Sequence, residues 1–111
     1  MKKEMIVYSI SDSLGGTSQK LLSAVTAQYP DIIFNKSYRF PFINKEDELL
    51  DILRDAIKDD ALVISTLVDG KLSSVAREFS LMHGLSYLDL MHPFFEIIKE
   101  KTGRDPIEVP G

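Results

Sequence analysis

The run Ala61-Leu-Val-Ile-Ser-Thr-Leu-Val68 constrains this chain more than any other stretch. A continuous apolar segment between turn signals is what a strand needs when both faces of its sheet are covered, so it belongs at the centre of a parallel sheet. Met5 to Ile10 is a second short, β-favouring apolar run, bounded by Ser and Asp. Thr17 is the expected N-cap of the helix that follows, with Leu21, Leu22, Val25 and Tyr29 at helical spacing on an inward face until Pro30. Ile32 to Phe40 is extended, and its polar second half places it leaving the core or near an edge, closed by Pro41.

From Asn44, the expected cap, Leu49, Leu50, Ile52, Leu53, Ala56 and Ile57 make an amphipathic helix whose acidic start suits its dipole. Asp59-Asp60 breaks it. After Asp69-Gly70 a third helix carries Leu72, Val75, Ala76, Phe79, Leu81 and Met82 to Gly84, with His83 as an exposed residue at its end. Leu85 to Leu90 is a fourth strand, and a helix starting near Pro93 stops at Gly103.

Strand and helix therefore alternate four times with short connections. This order predicts a single Rossmann-like α/β domain: a four-stranded, mainly parallel sheet with right-handed crossovers and helices on both faces. In such sheets ligands collect at the carboxyl ends of the strands, near the point where strand order reverses. Residues 11–17, 66–70 and 89–92 should then share one rim.

Composition narrows the function. The 111 residues suit one domain, expected over 1–103, with 104–111, rich in Pro and Gly, as an exit segment or linker. With no cysteine and only His83 and His92, neither a disulfide framework nor a metal site is expected. A net charge of -4 argues against a nucleic-acid or anionic-membrane surface. No apolar run approaches a membrane span, and a cytoplasmic setting is expected.

The most suggestive segment for chemistry is Ser11-Asp-Ser-Leu-Gly-Gly-Thr17, a strand-to-helix turn. Backbone N–H groups at a helix start lack acceptors and favour anions, so Ser11, Asp12, Ser13, Gly15, Gly16 and Thr17 are candidate ligand or phosphate contacts. Asp12 opposes the simplest version, because its charge repels phosphate unless it meets a metal or accepts from a hydroxyl. The alternative is that these residues only build a turn and cap a helix. Neither G-x-x-x-x-G-K-[ST] nor G-x-G-x-x-G occurs in the chain.

Arg39, Thr66, Asp69 and Asp89 join the candidate set by their expected place at the rim. Arg39-Phe-Pro-Phe42 pairs a cation with two aromatics on a stiff proline segment, which suits an anion contact or a partner-docking surface; Arg39 is available to a ligand, whereas Phe40 and Phe42 read more readily as a hydrophobic plug. A rival reading takes Ser13 as nucleophile, His92 as base and Asp89 as its orienter in a small hydrolase, although no oxyanion donors are identifiable.

Several segments in register resemble the pyruvate, phosphate dikinase regulatory proteins: Val7-Tyr-Ser-Ile-Ser-Asp-Ser-Leu-Gly-Gly-Thr17, Tyr38-Arg-Phe-Pro-Phe42, Ala61 to Asp69, Phe79 with His83-Gly84, and Asp89-Leu90 with Pro93. The resemblance covers nearly the whole chain. It implies the N-terminal domain of a bifunctional serine/threonine kinase and phosphorylase. Such a protein uses ADP to phosphorylate a threonine of a dikinase, and removes that phosphate with inorganic phosphate, releasing pyrophosphate.

The resemblance also implies that the phosphate-binding loop lies in a separate C-terminal kinase domain beyond this chain. ADP and inorganic phosphate would belong to the intact protein, with no cofactor and no catalytic residue in this part. Its partners would be the dikinase, its own C-terminal domain and a second copy in a homodimer. Leu14 and Gly16 replace a threonine and a glutamate of the family pattern, which weakens a ligand role for this turn. A partner-binding or dimerisation module without catalysis is the alternative.

Overall fold

The computed structural model describes residues 3–35 and 38–110; Lys36 and Ser37 of the expected second strand, together with Met1, Lys2 and Gly111, lie outside the described residues. The elements follow in the order β1 (Lys3–Ser11), α1 (Gly16–Thr26), β2 (Ile32–Asn35), β3 (Arg39–Phe40), α2 (Glu46–Lys58), β4 (Leu62–Thr66), α3 (Gly70–His83), β5 (Ser86–Asp89) and α4 (His92–Thr102). All pairings are parallel, in the order β2-β1-β4-β5.

The expected second strand is divided between β2 and β3. β4 pairs with Val7 to Ser11, so β3, opposite Ser9 and Ile10, lies on the other edge of β1, the one that β2 occupies lower down. β1 and β4 are thus both flanked on each side, which explains their apolar composition.

Side chains alternate across these strands, and two cores result. Tyr8, Ile10 and Val63 face the larger one with Leu49, Ile52, Leu53 and Ala56 of α2 and Leu72 and Ala76 of α3. Val7 and Ile64 face the smaller one with Leu22 of α1, flanked by Phe34, Leu62 and Leu90. Helices therefore cover both faces, but unequally. At roughly 25 cal/mol per Å2 of apolar area removed from water, the α2/α3 side supplies most of the hydrophobic stabilisation.

Three local expectations are corrected. Helix α1 opens at Gly16 after Gly15 in the left-handed region, so Thr17 lies in its first turn and is not its cap. Lys45, not Asn44, is the cap position of α2, and it makes no side-chain capping bond. The inward face of α1 is narrower than its periodicity suggests: Leu22 is buried, while Leu21, Val25 and Tyr29 are exposed. Helix α4 has no buried residue, and Phe94, Ile97 and Ile98 are exposed. Gly84 and Gly103 do close α3 and α4 in the left-handed conformation.

Candidate functional site at the β1/β4 rim

From β1 the chain runs to β2 and β3 on one side and then returns through α2 to β4 on the other, so strand order reverses between β1 and β4. At that point Ser11 is in register with Thr66. A cavity of about 120 Å3 opens there, lined by Asp12, Ser13, Gly15, Gly16, Thr17, Thr66, Val68 and Met91. The ends of β1 and β4 and the start of α4 therefore meet as the topology requires.

Asp12 ties the two central strands together. Its Oδ2 accepts the backbone N–H of Val68 at 2.9 Å and of Asp69 at 3.3 Å, across 56 and 57 residues of sequence. Its Oδ1 is buried and has no hydrogen-bond partner. A carboxylate oxygen withdrawn from water with no donor is costly, so this atom has capacity for an incoming O–H or N–H.

The turn that follows is held from below and from the side. Ser11, itself buried, accepts the N–H of Ser13 at 3.0 Å and lies 3.2 Å from its hydroxyl. Ser18 bonds Ser9 at 2.7 Å and donates to the carbonyl of Gly15 at 3.0 Å, anchoring α1 to β1 through two buried hydroxyls. Gly15 has φ +81°, and a Cβ there would sit 3.4 Å from Nε of Arg39. The conformation, more than the space, calls for glycine. A Cβ on Gly16 would meet nothing within 4 Å.

The segment from Arg39 to Ile43 wraps the outside of this turn. Ile43 is buried and donates its N–H to the carbonyl of Ser11 at 2.9 Å, and Phe42 donates to that of Ser13 at 3.1 Å. The Arg39 guanidinium donates to the carbonyl of Leu14. Arg39 is thus engaged by the turn through one of its guanidinium nitrogens. Phe40 does pack inward, its ring 5.3 Å from that of Tyr8. Phe42 does not: it is 60% exposed and its backbone has φ +57°. The expected plug is therefore Phe40 alone. A non-glycine residue in that region costs on the order of 1–3 kcal/mol. With Pro110 and all of residues 12–17, Phe42 lines a wider hollow of about 500 Å3 above the turn.

Asp69 and Asp89 are at the rim, but their carboxylates work locally. Asp69 caps α3 by accepting the N–H of Leu72 at 2.9 Å. Asp89 accepts from Ser73 at 2.6 Å and from the backbone N–H groups of Met91 and His92 at 2.9 and 3.0 Å, and its Oδ2 lies 3.0 Å from Nδ1 of His92. Burial pushes the Asp89 carboxyl upward, but hydrogen bonds from Ser73 and those two amides, with the His92 ring, outweigh it and hold the group below its ordinary value.

The orienting half of a Ser/His/Asp arrangement is therefore present. The other half is not, because Nε2 of His92 is buried without a partner while the Ser13 hydroxyl faces Ser11. Among the described residues no group of three or more His, Asp or Glu is placed to hold a metal ion.

The sequence reading did not single out Met91 or the amides of Val68 and Asp69, and it favoured an inward Phe42 over a docking one. Backbone donors leave no trace in residue identity, so only topology reveals them. Pro41 before Phe42 hinted at a fixed turn without telling which way the ring would point.

Among similar proteins, one from Streptococcus gordonii is 94% identical over all 111 residues, one from Streptococcus sanguinis is 87% identical over the same span, and one from Enterococcus faecalis is 65% identical. All three are named for regulation of pyruvate, phosphate dikinase. The chain spans 41% of the length of each. The model of the kinase/pyrophosphorylase family matches residues 7–111. With a match over nearly its whole length and the parallel sheet that the rim requires, the chain belongs to the kinase/pyrophosphorylase family.

Proposed function

We propose that this chain is the substrate-holding part of a bifunctional kinase and pyrophosphorylase, and that it receives a polypeptide segment of pyruvate, phosphate dikinase at the β1/β4 rim. The observation that carries this reading is the buried, unpartnered Oδ1 of Asp12, a residue that lines a cavity together with the rest of the turn and Thr66. That oxygen asks for a donor. A threonine hydroxyl or a peptide N–H supplies one, whereas a phosphate oxygen does not and is repelled.

Charge supports the same choice. Asp12, Asp69 and Asp89 lie at the rim, and the guanidinium of Arg39 is committed to Leu14. The chain also lacks the glycine-rich lysine loop on which phosphoryl positioning commonly depends. Phosphoryl transfer from ADP to a dikinase threonine, and its reversal by inorganic phosphate, is accordingly assigned to a C-terminal kinase domain to which residues 104–111 lead. In this reading the protein is cytoplasmic; among the described residues no helix is long and apolar enough to cross a membrane.

The test is amide chemical-shift mapping with purified pyruvate, phosphate dikinase, ADP and inorganic phosphate added separately. Shifts centred on residues 12–17 and 66–69 with the dikinase support the proposal. The same shifts with ADP or phosphate and none with the dikinase would refute it.

A dimerisation or partner-binding module is the second reading. It is favoured by Leu21, Val25, Phe94, Ile97 and Ile98, which α1 and α4 leave exposed. Sedimentation equilibrium showing a dimer that Ile97→Glu dissociates would support it.

A further inference from the structure

The backbone of Phe42 is in the left-handed region, which bulky side chains avoid, and yet its ring is 60% exposed. Folding alone does not account for that combination. Glycine or asparagine would adopt this φ with less strain, and a ring in solvent contributes little to the core. The strain is also not a product of looseness. The N–H of Phe42 is bonded to Ser13, that of the buried Ile43 to Ser11, and Phe40 packs on Tyr8, so the backbone of Phe42 is fixed while its side chain stays exposed.

Its position is specific. Phe42 lines the hollow above the Asp12 turn together with Leu14, which is 66% exposed. Two large apolar side chains, each on a backbone pinned by hydrogen bonds, thus share a hollow with Asp12, whose Oδ1 is the one buried carboxylate oxygen without a partner among the described residues.

We infer that Phe42, with Leu14, is a specificity clamp for an apolar side chain of the polypeptide held at the rim, adjacent to the residue that Asp12 engages. This rests on the reading of the rim as a polypeptide site and names the segment it takes: an apolar residue flanked by neutral or basic neighbours. The acidic groups of the rim select against an anionic ligand, and an aromatic ring on a rigid backbone buries apolar area with little loss of side-chain entropy. A nucleotide base stacked on Phe42 is the competing occupant, and its phosphates would face Asp12.

The experiment compares Phe42→Gly, Phe42→Tyr and Thr17→Arg for affinity toward purified pyruvate, phosphate dikinase and toward ADP, alongside urea denaturation. Phe42→Gly removes the ring and the backbone strain together. It should weaken dikinase binding roughly tenfold or more while its denaturation midpoint equals or exceeds that of the unaltered chain. Phe42→Tyr, which keeps the ring, should bind within about threefold, since an exposed edge tolerates a hydroxyl.

Thr17→Arg fills the cavity and reports on the rim itself. If it abolishes dikinase binding while Phe42→Gly leaves it unchanged, the clamp is overturned and the rim reading stands. If neither variant affects dikinase binding, both fall. Loss of ADP affinity in Phe42→Gly with dikinase binding intact, or a denaturation midpoint well below that of the unaltered chain, would also overturn the clamp by showing a base platform or a packing role.

Discussion

The carboxylate of Asp12, at the end of β1, accepts the N–H of Val68, just past the end of β4, at 2.9 Å. Two neighbouring strands that reach each other in sequence only through α1, β2, β3 and α2 are thus closed at their carboxyl ends by one side chain. The same side chain, on a residue that lines the cavity, leaves its other oxygen buried and without a partner. Structural closure and ligand capacity reside in a single group, and substitution there separates them.

Asp12→Ala leaves the amides of Val68 and Asp69 without their acceptor and should cost about 1–3 kcal/mol in urea denaturation. Asp12→Asn retains an acceptor oxygen and should cost about 1 kcal/mol or less. An alanine variant as stable as the unaltered chain would show that the two amides find water instead.

The adjacent glycines should respond oppositely. Gly15→Ala forces a Cβ into a left-handed backbone beside Arg39 and should destabilise by about 1–2 kcal/mol. Gly16→Ala, in the first turn of α1 with open space around it, should be neutral or stabilising by up to about 1 kcal/mol. Equal thermal midpoints for the two variants would contradict this.

Asp89 should contribute to acid sensitivity. Its carboxyl lies below the ordinary value of 3.8, so its stabilisation is present above that pH and is lost as pH falls through the lower, folded value. Asp89→Asn should therefore be less stable than the unaltered chain near neutrality, and the gap should narrow below about pH 4. Parallel stability curves down to the acid limit would exclude the effect.

Tyr87 should act at the alkaline end. Burial pushes its phenol up to about 12, against the hydrogen bond with Ser65 at 2.7 Å, which lowers it. The unfolded chain releases this proton near its ordinary value of 10.0 while the folded chain retains it, so stability falls as pH rises between the two. Its share of the slope is about 1.4 kcal/mol per pH unit, and Tyr87→Phe should remove that share while the raised Tyr8 phenol keeps its own. An unchanged slope in that variant, followed by denaturation between about pH 10 and 12, would assign the loss to other groups.

The legible parts of this molecule were those governed by local pattern. The apolar run at Ala61 to Val68 is indeed the interior strand β4, and Gly84 closes α3 as its position implied. Thr17 was misassigned because a capping side chain and a left-handed Gly15 are alternative ways to open the same helix, and sequence lists both. Phe42 was misassigned because its neighbour Phe40 has the same side chain and the opposite direction.

Sequence by itself determined the alternation of strands and helices, the parallel sheet and the rim on which the turn after β1 must lie, because hydrophobic period and turn chemistry are local properties of the chain. Tertiary structure alone decided which rim groups remain free. Asp12, Asp69 and Asp89 carry the same carboxylate, but Asp69 and Asp89 take backbone donors two or three residues on, whereas Asp12 reaches amides 56 and 57 residues away and keeps its buried Oδ1 unsatisfied. A hydrogen bond is made by position in space, and that position is set by chain segments far apart in sequence.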